Sequence, residues 1–121
     1  MPISRILVVD DSPTERFFIS DILVKNGYRV SLAESGEQAV AQARQILPDL
    51  IVMDVVMPGM NGYQATRVIT REDATRHIPI ILCTTKGQET DKVWGMRQGA
   101  RDYLVKPVDP KELLSQIRAL G

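Results

Sequence analysis

Residues 5–10 (RILVVD), 49–54 (DLIVMD) and 76–85 (RHIPIILCTT) are apolar at nearly consecutive positions. No other feature restricts the fold more. A strand with one face in water alternates apolar and polar residues, whereas a short uninterrupted apolar run suits a strand covered on both faces, as in a parallel sheet. Parallel strands need crossover connections, usually helices. The first connection shows one: Ser12 can cap, Pro13 fits the first helical position, and Glu15 completes a Ser-x-x-Glu capping box. Ile19, Ile22 and Leu23 then form an inward face, and Gly27 ends the helix.

The remaining segments repeat this alternation. Residues 28–33 (YRVSLA) alternate and are short, which reads as an edge strand. Ser35 and Gln38 form a second capping box, followed by Ala39, Val40, Ala43, Ile46 and Leu47 at helical spacing. Residues 55–62 (VVMPGMNG) read as a loop, and 63–71 as a third helix with Ala65, Val68 and Ile69 inward. Residues 88–99 form a fourth helix weakened by Gly95, and 100–107 (ARDYLVKP) a fifth strand stopped by proline. Pro110 opens a last helix with Leu113, Leu114 and Ile117 inward. Five strand–helix alternations imply an α/β fold, a doubly wound parallel sheet with helices on both faces.

The chain has 121 residues, the size of a single domain, so residues 1–121 are expected to form one domain with no output domain attached. A formal net charge of zero gives no electrostatic pointer to nucleic acid or to an anionic membrane. Cys83 is the only cysteine, so an internal disulfide is impossible; beside an apolar run it reads as a small buried residue. No apolar stretch approaches the length that crosses a bilayer, and no signal peptide is visible. A cytoplasmic location follows as the expectation.

In open α/β sheets ligands bind beyond the carboxyl ends of the strands. This chain places Asp10 and Asp11 after the first strand, Asp54 after the third, Thr84 and Thr85 after the fourth, and Lys106–Pro107 after the fifth. A lone acid after a strand is usually a turn former or a cap. Acids after two strands, a Thr pair after a third and Lys-Pro after a fourth are a different matter. Adjacent carboxylates raise each other's pKa unless a cation compensates. Mg²⁺ suits the set, because it takes oxygen ligands from one or two carboxylates and leaves room for phosphate oxygens.

Together, "VVDDS", "DVVMPGMNG", "CTT" and "DYLVKP" resemble the signature stretches of two-component response-regulator receiver domains, in the right order and over essentially the whole chain. The resemblance implies a flavodoxin-like sheet in the order 2-1-3-4-5. It implies Asp54 as phosphoacceptor, Asp11 as a direct Mg²⁺ ligand, Asp10 acting through water, and Val56 contributing its backbone carbonyl, with Mn²⁺ as a substitute metal. It implies Lys106 pairing with the phosphoryl group, Thr84 hydrogen-bonding a phosphoryl oxygen, Tyr103 as the aromatic that changes rotamer, and a cis bond before Pro107. The residue types agree: a carboxylate attacking phosphorus gives an aspartyl phosphate, a transfer that needs positioning and charge neutralisation.

A narrower resemblance joins residues 84–110 to the single-domain regulators of type IV pilus twitching motility, the PilH-like group, served by a chemotaxis-like histidine kinase or its phosphotransfer domain. A monomer with a downstream protein partner, such as a pilus motor component, is expected, and no nucleic acid or membrane insertion. Trp94, in the fourth helix, either packs onto the sheet or anchors that partner. Two alternatives stand beside this. One is a phosphate sink for a shared kinase. The other is a Mg²⁺-dependent Asp-based phosphohydrolase, although such enzymes typically space their acids Asp-x-Asp. A nucleotide-binding module is disfavoured, since neither glycine-rich phosphate loop follows the first strand.

Overall fold

A computed structural model describes residues 2–121. The elements run β1 (Arg5–Val9), α1 (Pro13–Lys25), β2 (Arg29–Ala33), α2 (Gly36–Ile46), β3 (Leu50–Met53), α3 (Gly62–Arg71), β4 (Ile80–Thr84), α4 (Glu89–Arg97), β5 (Asp102–Val105) and α5 (Pro110–Leu120). All five strands are parallel, in the order β2-β1-β3-β4-β5. The sheet is therefore doubly wound and flavodoxin-like, with β2 and β5 at its edges.

The period of two along each strand divides the core into two layers. Leu7, Val9, Ala33, Ile51, Met53, Ile80, Leu82 and Tyr103 face one side, where Ala39, Ala43, Ala65 and Ile69 of α2 and α3 cover them. Ile6, Val8, Leu50, Val52, Ile81, Cys83 and Leu104 face the other, under Ile19 and Leu23 of α1 and Leu113 and Ile117 of α5. β1, β3 and β4 are buried on both faces, which is why their sequences read as continuous apolar runs. Cys83 is buried on the α1–α5 side, and burial pushes its thiol up to about 12.

Several local expectations shift. β4 begins at Ile80 rather than residue 76, because residues 73–77 turn after α3 and the Thr75 hydroxyl donates to the Ile69 carbonyl at 2.7 Å. Ser12 and Ser35 do cap α1 and α2, accepting from the backbone N–H groups of Glu15 and Gln38. Only half of each box forms as drawn, since Gln38 accepts from Glu34 N–H instead of Ser35. A complete capping box stands at α3, between Asn61 and Gln64. Leu47 is exposed at φ 46° as the C-cap of α2, so the inward face of that helix stops before it.

Candidate functional site

Asp10, Asp54 and Lys106 each stand one residue beyond a strand, and each is fixed there by extending the sheet ladder. Asp10 N–H donates to Ala33 O (3.2 Å), Asp54 N–H to Val9 O (2.9 Å) and Lys106 N–H to Thr84 O (2.8 Å). The parallel register therefore delivers all three side chains to one rim. The β3 end is set further by Gly62, whose N–H donates to Val55 O at 2.8 Å, folding the 55–62 loop back against the sheet. The Lys106–Pro107 bond is cis.

At this rim carboxylate oxygens of Asp10, Asp11 and Asp54 lie within 4.8 Å of one another. Asp10 and Asp54 are buried and Asp11 is exposed. Lys106 Nζ donates to Asp10 Oδ2 at 2.7 Å and lies 3.6 Å from Asp54 Oδ2. Asp10 Oδ1 accepts from Ser12 N–H at 2.9 Å, so both of its oxygens are engaged. Asp54 Oδ1 accepts from Val55 N–H at 2.8 Å. Among the described residues no ion pair or hydrogen bond engages the Asp11 carboxylate. The peptide joining the two acids is clamped from behind: Arg16 donates to Asp10 O at 2.7 Å and pairs with Glu34 at 3.2 Å.

Burial pushes the Asp54 carboxyl above its ordinary pKa; Lys106 opposes this and the Asp10 charge adds to it. Burial works the other way on the Lys106 ammonium, but the Asp10 hydrogen bond and the Asp54 and Asp10 charges outweigh it, so its pKa is raised. Two buried carboxylates thus share the Lys106 ammonium. The donor set fits a hard divalent cation: three convergent carboxylates, one of them free and facing solvent.

The Thr84 hydroxyl is fully buried and accepts from Lys86 N–H at 3.3 Å. Tyr103 is 5% exposed, and its hydroxyl donates to Lys86 O at 2.6 Å. Val56 lies beside Asp54 with its side chain exposed. Trp94 does not pack onto the sheet; it is 50% exposed on α4, with Val93 and Met96 exposed beside it in the chain. Tyr63 had no role in the sequence reading. It is buried at the start of α3, donates to Asp91 O at 3.1 Å and meets the Tyr103 hydroxyl at 3.4 Å. A lone aromatic opening a helix carries no periodic signal that separates it from ordinary core.

The response regulator receiver domain family matches residues 6–118. Protein PilH of Pseudomonas aeruginosa is 58% identical over 117 residues, 97% of each chain. Among solved structures, the chemotaxis protein CheY4 of Vibrio cholerae superposes with a TM-score of 0.91 at 33% identity, covering 98% of this chain and 99% of that one. The receiver domain of a sensor histidine kinase from Pseudomonas aeruginosa, with a magnesium ion coordinated in its active site cleft, superposes with a TM-score of 0.90 at 36% identity, covering 97% and 96%. With the sheet order and the acidic rim, these likenesses place the chain in the response regulator receiver domain family, as a receiver of two-component signalling.

Proposed function

We propose that this chain is a stand-alone, monomeric receiver that accepts a phosphoryl group on Asp54 from a chemotaxis-like histidine kinase or its phosphotransfer domain, and that it acts in type IV pilus twitching motility. The observation that carries the phosphoacceptor reading is the convergence of Asp10, Asp11 and Asp54 on a rim where, among the described residues, Lys106 is the one ammonium within 4.0 Å of a rim carboxylate. The pilus assignment rests on the likeness to PilH and on residues 84–110.

An Asp54 carboxylate oxygen attacks phosphorus, the P–N bond to the kinase histidine breaks, and a mixed anhydride forms. Hydrolysis reverses the carboxylate's part: water attacks phosphorus, inorganic phosphate leaves and Asp54 is restored. Mg²⁺, with Mn²⁺ as a substitute, would be held by Asp11, Asp54 and the Val56 carbonyl, with Asp10 acting through water, and when bound it supplies positive charge to the transferring oxygens. Lys106 brings the other positive charge, as a point charge needing no forked geometry. The test is a phosphotransfer time course from a labelled chemotaxis-like kinase, with and without a candidate pilus motor protein. Label should move to this chain; no transfer from any kinase of that type would overturn the reading. Drainage of kinase label that is indifferent to every motor protein would favour the phosphate sink.

Metal affinity is expected to depend on Asp11 more than on Asp10. The Asp11 carboxylate is free, whereas both Asp10 oxygens are taken by Lys106 and Ser12. Asp11→Ala should weaken Mg²⁺ binding by more than about 10-fold, and Asp10→Asn by less. Titration of either variant by calorimetry checks this, and near-native affinity in Asp11→Ala sinks it.

Output is expected to leave through α4, β5 and α5, where Trp94 and Val105 are exposed. Thr84 links the phosphoacceptor to this face, because its hydroxyl sits in the 84–86 turn whose Lys86 carbonyl holds Tyr103. Allosteric couplings are typically about 1–3 kcal/mol, so phosphorylation should change partner affinity roughly 5- to 150-fold. Thr84→Ala should reduce that ratio to near unity while Asp54 still accepts phosphate. A preserved ratio would exclude this route.

A further inference from the structure

Helix α4 is fastened to the domain by unusually little apolar packing. Gly95 is its only buried residue, while Val93, Trp94 and Met96 point to solvent. Gly95 lets the helix sit close: a Cβ there would come within 3.0 Å of Leu82 and 3.2 Å of the Tyr103 ring, so a larger residue needs those side chains to give way by a few tenths of an ångström. Close approach of this kind gives contact with no side chain inserted into the core. Polar groups must therefore contribute more of the fastening than in α1, α2 or α5.

At the C-terminal end the Thr70 hydroxyl of α3 lies 3.0 Å from Gln98 O, and at the start of the helix two phenol hydroxyls do the fastening. Tyr103, on β5, donates to Lys86 O at 2.6 Å, just before α4. Tyr63, on α3, donates to Asp91 O at 3.1 Å, in the first turn of α4. A phenol has one proton to give. With both protons committed to carbonyls, the 3.4 Å contact between the two hydroxyl oxygens carries no bond. The two anchors are thus separate, one on each end of the 86–91 segment. Their donors come from α3 and β5, in the same core layer, and all of their atoms belong to this chain.

We propose that Tyr63 is a second positioning residue of the switch, one that holds the start of α4 inward and so sets how far the α4 face can move when Asp54 is phosphorylated. This rests on the receiver reading above for its consequence, but not for its first test. Tyr63→Phe keeps the ring, which packs with Met53, Ala65 and Tyr103 in the same core layer, and deletes only the proton on Asp91. Loss of one such bond should raise local opening of α4 about fivefold. With Tyr63 absent, the resting position of α4 is less constrained, and any added restraint from Thr84 and Tyr103 on phosphorylation then produces a larger change.

The experiment is amide hydrogen exchange on the full chain, read by mass spectrometry. In the protein without any phosphoryl donor, Tyr63→Phe should exchange about fivefold faster over residues 86–97, with β1 and β3 unchanged. Unchanged exchange over 86–97, or an increase spread evenly through the sheet, overturns the proposal whether or not Asp54 is a phosphoacceptor. In a second arm, a small acyl phosphate with Mg²⁺ is added. The protection gained over 86–97 should be larger in Tyr63→Phe than in the wild-type chain; an equal or smaller gain also overturns it. If wild-type protection does not change on phosphorylation, the receiver reading of α4 fails while the first arm still stands or falls on its own.

Discussion

Asp54→Asn is expected to abolish phosphoryl uptake from a small acyl phosphate in Mg²⁺, where the wild-type chain takes up a single group. The reason is chemical. An Asn side chain keeps the size of the carboxyl and the acceptor for Val55 N–H, but its amide cannot become an acyl phosphate. No neighbouring acid is placed to take over. Both Asp10 oxygens are bound, and Asp11 stands toward solvent, where Lys106 does not reach it within 4.0 Å. Intact-mass analysis reads the outcome directly, and full labelling of Asp54→Asn would remove Asp54 from its proposed role.

The same substitution carries a stability signature of opposite sign. Burial raises the Asp54 pKa in the folded chain above its unfolded value. Below the unfolded value both states are protonated and nothing is lost. As pH rises through the folded value the native state is left holding a disfavoured anion, and stability falls relative to a neutral side chain. Asp54→Asn should therefore be the more heat-resistant protein at pH 7 in a metal chelator. The advantage should shrink as pH drops toward the carboxylate range. Thermal melts at a series of pH values test both parts, and a variant less stable at neutral pH contradicts the burial argument.

Gly62→Ala is the second large effect, and it acts on the fold. A Cβ at Gly62 would lie 2.2 Å from the Asp54 carbonyl oxygen and 2.8 Å from Val55 Cα. Both obstacles are backbone, so no rotamer change relieves them. Either α3 moves out or the end of β3 moves, and Asp54 stands at the end of β3. Overpacking of this severity costs about 1–3 kcal/mol in an ordinary core, and more where backbone must yield. We expect a loss of about 3 kcal/mol or more in denaturant unfolding, with slower phosphorylation in whatever fraction folds. Wild-type stability together with wild-type phosphorylation would show that the approach is looser than drawn.

The legible parts of this molecule share a cause. β1, β3 and β4 are sandwiched between helices, so nearly every residue in them had to be apolar, and the acids marking their ends stood out. Asp10, Asp54 and Lys106 were readable because register in a parallel sheet turns a position in sequence into a place on the rim. Boundaries were harder. The start of β4 was read early because His77 and Pro79 adjoin the apolar residues Ile78 and Ile80, and nothing local separates turn from strand there. Gly62 and Tyr63 were missed for another reason. Their roles depend on what lies opposite, the β3 backbone for one and the α4 backbone for the other, and a linear reading does not contain that.

Lys106 and Asp10 are 96 positions apart in the chain, yet 2.7 Å apart in space. A ribosome adds Asp10 to the chain 96 positions before the ammonium that pairs with it. Until β5 has been translated and docked beside β4, Asp10 and Asp54 lack the Lys106 ammonium. A nascent or truncated chain lacking residue 106 therefore lacks the charge that offsets its two buried carboxylates. The charge balance of this rim is settled only once β5 lies beside β4.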